Sequence, residues 1–222
     1  AEARGRLLGT GFAVYVESSF GTPLKQARIT VTDQDRIDVV IGTQPSGQGH
    51  ETSFAQVAAE WLGVPVESVR IVVGDTDVVA VGGGSHSGRS MRMARTVIVL
   101  AAEDLIEIGK AAAAHVLEVS ENDVAFDAGQ FRVPGTDRQI SWFELARRSD
   151  EGALHVVRDN EMQTPVFPNG CHICEVVIDP ETGALVIERY NVVDDFGRVL
   201  NPMIVEGQVH GGIVQGLGQA LV

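Results

Sequence analysis

Two polar loops and one glycine-rich segment carry the residues whose types and spacing could perform binding chemistry. The first loop, Thr43–Gly49, contains no hydrophobic residue and ends where a helical pattern begins. The second loop, Gly82–Gly88, consists of glycine, serine and one histidine, and the third segment carries Gln208. Such loops leave backbone N–H groups free, a helix start adds about half a positive charge, and glutamine offers both a donor and an acceptor. These features indicate a site for an anionic, heterocyclic cofactor.

Several familiar catalytic motifs fail at specific positions. His50-Glu51 cannot begin an HExxH zinc motif, because Phe54 stands where the second histidine is required. The loop Gly84–Gly88 has His86 rather than serine at its centre, so it is not a GxSxG nucleophile elbow. No GxxxxGKS or GxxxxGKT sequence occurs, and Gly47-Gln48-Gly49 is only half of a dinucleotide fingerprint. The sequence therefore shows no convincing nucleophile or general base.

The two cysteines and a pair of aspartates are interpreted as structural. Cys171 and Cys174 are three residues apart, so on a strand their side chains point to opposite faces, and no second pair of metal ligands exists. We expect two small buried thiols there rather than a metal site. Asp194 and Asp195 precede Phe196-Gly197 and are expected to cap a turn.

Composition and charge narrow the function classes. With 17 Lys+Arg and 30 Asp+Glu in 222 residues, the formal net charge is −13, which disfavours nucleic acid or an anionic membrane as a partner. A phosphate site is still compatible with this charge, because physiological salt screens charges beyond ~8 Å. No run of 18 apolar residues occurs, and the N-terminus lacks a secretory signal pattern. A cytoplasmic protein without a membrane span is therefore expected.

Periodicity predicts a mixture of strands and helices without strict βαβ alternation, which favours an α+β fold. The predicted strands cover residues 9–18, 27–32, 37–42, 69–74, 124–126, 130–133, 171–179 and 184–193. The predicted helices cover residues 54–62, 90–116 and 142–148, and a last one follows Asn201-Pro202, where asparagine caps the helix and proline takes its first position.

The last predicted helix is unusually rich in glycine. Each glycine in a helix interior costs ~0.5–1 kcal/mol relative to alanine, so five of them require a compensating reason. That reason is either close packing on a neighbouring element or a ligand that lies against bare backbone. The five glycines are Gly207, Gly211, Gly212, Gly216 and Gly218.

Five short motifs occur in one order along the chain. They are Gly47-Gln48-Gly49-His50-Glu51-Thr52, Gly74-Asp75-Thr76-Asp77, Gly88-Arg89-Ser90, Asp194-Asp195-Phe196-Gly197 with Asn201-Pro202, and Gly207-Gln208-Val209-His210-Gly211-Gly212. In this order they resemble the second molybdopterin-binding domain of the molybdenum hydroxylases, the xanthine oxidase family. The resemblance is strongest to the bacterial large subunits that are similar to carbon monoxide dehydrogenase and aldehyde oxidase. Each motif alone is a weak signal, but five in order make coincidence improbable.

The resemblance implies a portion of an oxidoreductase large subunit that binds molybdenum through a molybdopterin cofactor, often the cytosine dinucleotide form in bacteria. Such enzymes hydroxylate an aldehyde or heterocycle, or oxidise carbon monoxide, with water as the oxygen source. The resemblance implies that the pterin dithiolene, and no protein side chain, holds the metal. It also implies FAD-binding and iron–sulfur subunits or domains as partners, with the rest of the large subunit, in a complex that can be a homodimer.

The same resemblance assigns cofactor contacts to the polar loops and the terminal helix. The residues are Gly47, Gln48, Gly49, His50, Ser85, His86, Ser87, Gly88, Arg89, Ser90 and Gln208. It does not fix the roles of the histidines. Because one anionic cofactor cannot be held by loops that do not converge, we expect Gln48 and the Ser85–Ser90 loop to lie close together.

Two family features are expected to lie outside this chain. The first molybdenum domain is expected upstream of residue 1, and the catalytic glutamate is expected beyond Val222. Residues 1–222 are therefore expected to be an incomplete second cofactor-binding domain that is inactive alone, with two merged subdomains, about 1–150 and 151–222, as an alternative. The alternative from a different functional class is a non-catalytic cofactor-binding or assembly module of the same fold.

Overall fold

Strands and helices are mixed along the chain, which confirms the α+β class. The computed structural model describes residues 5–21, 24–150 and 154–222. Its strands are β1 (Leu7–Val16), β2 (Leu24–Val31), β3 (Ile37–Ile41), β4 (Val69–Val72), β5 (Ala125–Asp127), β6 (Gln130–Arg132), β7 (Gln139–Ser141), β8 (His155–Glu161), β9 (Asn169–Ile178) and β10 (Leu185–Asp195). Its α-helices are α1 (His50–Leu62), α2 (Ser90–Leu117), α3 (Trp142–Arg148) and α4 (Pro202–Leu221). No helix among the described residues has the length and apolar character that crossing a bilayer requires.

The chain divides into two compact units, and each unit is built from segments that are distant in sequence. The small unit comprises residues 1–20 and 164–199, and the large unit comprises residues 21–163 and 200–222. The division suggested by the sequence, near residue 150, is continuous in sequence and falls beside residues 151–153, which lie outside the described residues. The first four residues of the N-terminal segment also lie outside them.

The large unit is organised by a four-stranded sheet in the order β4-β3-β2-β8. Alternation along the two central strands buries one face, because Ala27, Ile29 and Val31 of β2 and then Ile37, Val39 and Ile41 of β3 form the core with the helices. β3 and β4 run parallel and are connected through α1. The first polar loop therefore leaves the carboxyl end of β3, which is where open sheets with parallel strands commonly bind ligands.

Helix α2 covers this sheet and sets the position of the second polar loop. Its buried stripe includes Ala94, Val97, Ile98, Ala101 and Leu105, with the three- and four-residue spacing that the sequence predicts. The predicted boundaries of α2 agree with the observed ones within one residue. Because α2 begins at Ser90, the loop before it must lie at the amino end of a long, fully packed helix.

Two strands were not predicted: β8 of the four-stranded sheet and β7 of the three-stranded β5-β6-β7 sheet. β8 pairs with β2 more than a hundred residues earlier in the chain, and most of its side chains are exposed. β7 pairs with β6 and extends the predicted β5–β6 hairpin to three strands. Both lack a local apolar signal, because an edge strand needs buried side chains on few of its positions.

The small unit is a three-stranded antiparallel sheet in the order β1-β9-β10. The predicted hairpin at residues 171–193 is confirmed as β9 and β10. Cys171 and Cys174 are free but only partly buried, so the expectation of buried thiols was wrong. Both lie on the central strand, where pairing with neighbours covers the backbone edges and not the sheet faces to which side chains point. Asp195 accepts a hydrogen bond from Gly197 N at 2.8 Å and caps the turn as expected, whereas Asp194 accepts one from Tyr15 Oη at 2.9 Å.

Helix α4 begins as predicted, with the Asn201 side chain accepting a hydrogen bond from Ile204 N at 3.1 Å. The Asn201 amide also donates to Gln56 Oε1 of α1 at 3.1 Å, which ties the start of α4 to the large unit. Beyond this first turn every side chain of α4 is at least partly exposed, and a Cβ on any of its five glycines would meet nothing within 4 Å among the described residues.

Gly109→Ala tests the packing between α2 and the β5–β6–β7 sheet. Alanine normally stabilises a helix interior, but a Cβ at residue 109 would collide with the Phe131 ring and lie 2.9 Å from Trp142 Cζ3. We expect a loss of about 1–3 kcal/mol in the free energy of unfolding, measured by urea denaturation. Gly212→Ala in α4 is the control, and it should be neutral or stabilising by up to about 1 kcal/mol. Equal effects from the two substitutions would contradict the packing described.

Candidate functional site

The two polar loops are brought together by a close approach of bare backbone. β3 ends at Ile41, and Gly42 then forms an isolated parallel bridge with Gly82. The Gly84 N–H donates to the Gly42 carbonyl at 3.3 Å. A Cβ at residue 42 would collide with the Val81 carbonyl and the Gly82 Cα, so any other residue would push the loops apart. Glycine at position 42 is thus a geometric requirement of the site.

His50 links the two loops through its imidazole ring. The side chain is buried, with 5% of the residue exposed. Its Nδ1 lies 3.3 Å from the Thr43 carbonyl and 3.1 Å from Ser85 Oγ. Ser85 Oγ in turn donates to the Gln44 carbonyl at 2.8 Å. These contacts confirm the expected convergence of the loop that carries Gln48 with the loop that begins at Ser85.

Burial controls the protonation state of this histidine. Burial lowers the pKa of His50, and the nearby Thr43 carbonyl and Glu51 only partly oppose that effect. The ring stacks on Phe54, with centroids 4.6 Å apart and an interplanar angle of 19°, and this contact holds it in place. A neutral imidazole with its proton on Nδ1 can donate to the oxygen atoms around it, so His50 acts as an internal hydrogen-bond donor.

The predicted residues of the first loop shape its backbone. Gly47 and Gly49 have φ values of 117° and 70°, in the left-handed region that glycine adopts without strain. Gln48 Oε1 accepts a hydrogen bond from Ser46 N at 2.5 Å, so the glutamine stabilises its own loop. Its amide nitrogen is not used in that contact and remains able to donate.

Two further motifs pack on the first loop. The Gly74 backbone approaches the Gln44 side chain so closely that an added Cβ would lie 3.0 Å from it. Gly49 faces Ile204 of α4, which would lie 3.1 Å from such a Cβ. Gln208 is exposed one helical turn beyond Ile204 and therefore on the same face of α4. The Gly74 motif and the first turn of α4 thus both pack on the Thr43–Gly49 loop.

Arg89 holds the second loop from beneath. The residue is fully buried, at 0% exposure. Its guanidinium donates to the Gly83 carbonyl at 2.9 Å, lies 2.6 Å from His86 Nε2, and contacts Met93 Sδ at 3.4 Å. Burial lowers the pKa of Arg89, which still leaves it charged at neutral pH. The predicted site residue Arg89 therefore positions the loop from its inner side.

The outer side of the second loop faces solvent. His86, Ser87 and Gly88 are exposed, and Ser90 begins α2. Helix α2 has no side-chain cap at its amino end and no acidic residue in its first turn. The partial positive charge at the amino end of α2 is therefore not neutralised by its first turn. This charge lies at the loop that the sequence predicts to bind the cofactor.

Sequence reasoning missed Lys25, a buried cation whose pKa is affected by Arg89. Only 1% of Lys25 is exposed, and its Nζ has no hydrogen-bond partner among the described residues. Burial, and then the nearby Arg89 guanidinium, lowers the pKa of Lys25 to about 8. The alternation of β2 contained the signal, because Lys25 has the same parity as the core residues Ala27 and Ile29.

Thr43 adds a buried hydroxyl to the first loop. Thr43 is fully buried, and its Oγ1 also lacks a hydrogen-bond partner among the described residues. Buried polar atoms are ordinarily paired, so unpaired ones mark places where a ligand atom can complete the network. The loops contribute no carboxylate, and Glu51, which follows them, is exposed in the first turn of α1.

The chain matches one protein family and several of its characterised members. The molybdopterin cofactor-binding domain family matches residues 1–222. The chain is 34% identical to the gamma subunit of the 6-hydroxypseudooxynicotine dehydrogenase complex of Paenarthrobacter nicotinovorans, over 99% of the chain and 29% of that protein. It is 36% identical to the carbon monoxide dehydrogenase large chain of Hydrogenophaga pseudoflava, over 82% of the chain and 24% of that protein. The chain therefore spans less than a third of these relatives.

Solved structures agree with the sequence comparisons. Quinoline 2-oxidoreductase from Pseudomonas putida 86 superposes with a TM-score of 0.83 at 32% identity, covering 98% of the chain and 30% of that protein. The aldehyde oxidoreductase of Desulfovibrio gigas superposes with a TM-score of 0.72 at 21% identity, covering 96% of the chain and 23% of that protein. The second likeness is one of fold alone.

The buried neutral His50 predicts a stability that depends on pH. Because its pKa is lower in the folded state, the unfolded chain takes up a proton first as the pH falls below about 6.5. The stability that this histidine contributes is therefore complete above pH 7 and is lost as the pH falls toward its folded pKa. Urea denaturation at pH 7.5 and 5.5 should show a larger loss for the wild type than for His50→Gln.

His210→Gln is the control for this experiment, because His210 is exposed on α4. The control should lose the same stability as the wild type between the two pH values. If His50→Gln also lost as much, His50 would not be the titrating group.

The buried Lys25 predicts a pH dependence of the same sign as that of His50, in a higher pH window. Below pH 8 the folded protein carries an unpaired buried ammonium, so Lys25→Met should raise the free energy of unfolding by about 1–3 kcal/mol at pH 7. Between about pH 8 and 10.5 the folded state loses this proton before the unfolded state does, so the advantage of the variant should shrink. A variant that is less stable than the wild type at pH 7 would contradict this account.

Proposed function

Since this chain belongs to the molybdopterin cofactor-binding domain family, we propose that it supplies part of the cofactor site of a molybdenum hydroxylase large subunit. The whole protein would be an oxidoreductase that hydroxylates an aldehyde or heterocycle, or oxidises carbon monoxide. The support is the match over residues 1–222 together with relatives that are named as dehydrogenase and hydroxylase subunits.

The observation that carries the proposal is the convergence of two carboxylate-free loops, the second of which is held by the buried Arg89. An anionic pterin needs backbone N–H groups, amide side chains and positive charge, and it is disfavoured by nearby carboxylates. The converging loops provide glycine backbone at residues 47, 49 and 84, the Gln48 amide and the amino end of α2. Thr43 Oγ1 and Lys25 Nζ are buried polar atoms without a hydrogen-bond partner among the described residues. The residues present therefore fit the cofactor.

We assign complementary roles to the residues around this site. The Gly47–His50 segment and Gln208 would contact the pterin edge, where glutamine can both donate and accept. The Ser85–Ser90 loop would hold the phosphate groups at the amino end of α2. His50 and Arg89 act from the inner side, because their hydrogen bonds to Ser85, Gly83 and the backbone set the shape that the loops present.

These roles separate the chemistry that the cofactor would supply from the positioning that the protein would supply. When bound, the cofactor supplies two-electron oxidation at molybdenum with water as the source of oxygen. The residues of this chain would orient that group and exclude water from its pterin side. The family's general-base glutamate is proposed to lie beyond Val222, so no residue of this chain is assigned a catalytic role, and the chain alone would be inactive.

Further properties of the whole protein complete the proposal. The cofactor would be the cytosine dinucleotide form, and the partners would be FAD-binding and iron–sulfur subunits or domains with the rest of the large subunit. The support is that relatives are named as a large chain and as a subunit of a dehydrogenase complex. The assembled complex would be a cytoplasmic homodimer that uses neither nucleic acid nor a membrane.

Gln48→Ala in the cofactor-loaded protein tests the first loop. The substitution removes the Gln48–Ser46 hydrogen bond and a potential pterin contact, each worth about 1 kcal/mol. We expect cofactor affinity to fall by about fivefold if only the pterin contact is lost and by up to about thirtyfold if the loop bond also counts. Molybdenum and pterin contents should fall together, measured by elemental analysis and by fluorescence of the oxidised pterin. Gln139→Ala is the control, because Gln139 is exposed on β7 in the large unit. Full cofactor content in Gln48→Ala would contradict the assignment.

A further inference from the structure

The outer face of the four-stranded sheet in the large unit carries a groove that the proposed function does not use. The inner face packs on α1 and α2, so by alternation Arg28 of β2 and then Asp38 and Val40 of β3 point outward. Together with side chains of β4, β8 and the segment that follows β4, they line a groove of about 620 Å³. A groove of this size can receive several side chains of another molecule.

Arg28 lies in the middle of this face without a partner. Its neighbours directly across the strands are Val40 of β3 and Val157 of β8, so no carboxylate lies opposite it. The residue is partly buried, and its guanidinium makes no hydrogen bond or ion pair among residues 5–21, 24–150 and 154–222. Its five N–H donors, arranged in a planar fork, are therefore available to another molecule.

The two carboxylates diagonal to Arg28 on the neighbouring strands are already engaged. Asp38 of β3 accepts two hydrogen bonds from the Arg70 guanidinium, at 2.8 and 2.5 Å. Asp159 of β8 accepts one from Gln26 Nε2 at 2.8 Å. The chain has 30 Asp+Glu against 17 Lys+Arg, so an arginine left without a carboxylate is a local feature and does not reflect composition. The groove thus presents a positive charge that its own sheet does not neutralise.

We propose that this groove is an interface in which Arg28 pairs with an aspartate or glutamate of the rest of the large subunit. The inference rests on the proposed function in one respect, since that function supplies the large subunit. The choice of partner follows from length. The chain spans less than a third of its relatives, so most of the polypeptide around this domain would belong to the same subunit.

The lining of the groove selects an acidic side chain with aliphatic neighbours. A carboxylate matches the fork of a guanidinium through two parallel hydrogen bonds, a geometry that a single charged amine does not offer. Beside Arg28 the groove exposes the aliphatic side chains of Val40, Val72 and Val78. These side chains would pack on apolar residues that adjoin the carboxylate in the partner segment.

Two features of the groove disfavour other occupants. Asp38 and Asp75 also line it, so they would repel a phosphoryl group, with up to two negative charges, more strongly than a single carboxylate. The groove runs along an open sheet face, whereas small-molecule sites enclose most of the surface of their ligand. A polypeptide segment laid across the sheet needs no such enclosure.

Arg28→Lys in the assembled enzyme tests the pairing directly, because it keeps the positive charge and introduces an amine. A carbodiimide joins an amine to a carboxylate only when the two groups are in contact. We expect a cross-link between the introduced lysine and an aspartate or glutamate of the rest of the large subunit, identified by mass spectrometry of the digested protein.

Arg138→Lys is the matched control. Arg138 is exposed immediately before β7 in the same unit, and its side chain makes no ion pair among the described residues. It does not line the groove. The lysine introduced there should give at least tenfold less cross-link to the rest of the large subunit.

Charge reversal gives an independent measure. Arg28→Glu should bring two carboxylates together and lower the yield of assembled enzyme about tenfold, whereas Arg138→Glu should leave the yield unchanged. Replacing the cross-linked carboxylate by lysine in the Arg28→Glu protein should restore most of the yield, because opposite charges then face each other again.

The outcomes separate this inference from the proposed function. Absence of the cross-link in an enzyme that holds its full content of molybdenum and pterin overturns the interface and leaves the proposed function intact. A cross-link only to Asp38 or Asp159, only to a separate subunit, or only to a small organic acid also overturns it, because another partner would then hold Arg28. The expected cross-link in a protein that never acquires molybdenum or pterin supports the interface and removes the proposed function.

Discussion

The close approach of Gly42 to Gly82 is the contact on which the rest of the site depends. It allows the backbone that leaves β3 to lie against the backbone that precedes α2, with no side chain between them. Ser85 can hydrogen-bond to the Gln44 carbonyl and to His50 Nδ1 only because the two backbone segments are already this close. Gly74 and Ile204 also pack on the first loop, which brings two further segments to one place. A single missing Cβ thus underlies an arrangement of four segments.

The large unit combines an apolar scaffold with a polar layer beneath the loops. The sheet and helices α1 and α2 bury alternating aliphatic residues, which gives the loops rigid ends. Within the loops and where they join the helices, the buried side chains include the polar residues Thr43, His50 and Arg89. Polar burial of this kind reduces stability unless partners are supplied. Its concentration at one place is typical of a site that completes its interactions with a ligand.

The sequence did not explain why α4 contains five glycines, and the structure narrows the possible reasons. Close packing and a ligand on bare backbone were both compatible with the sequence. In the structure, a Cβ on any of these glycines would meet nothing within 4 Å, so packing on the described part of the chain does not account for them. The chain spans less than a third of its relatives. Under the proposed function, α4 would contact the cofactor and the rest of the large subunit.

The sequence by itself determined most of the elements, the α+β class and the family, because periodicity, caps and ordered motifs are local properties. The boundaries of α2, the Asn201 cap and the β9–β10 hairpin were all predictable from neighbouring residues. Only the tertiary structure decided that β8 pairs with β2, that His50 joins the loops, and that Lys25 lies buried beside Arg89. Those facts depend on contacts between residues far apart in sequence. Whether a charged side chain such as Lys25 is buried depends on which elements the fold packs against its strand.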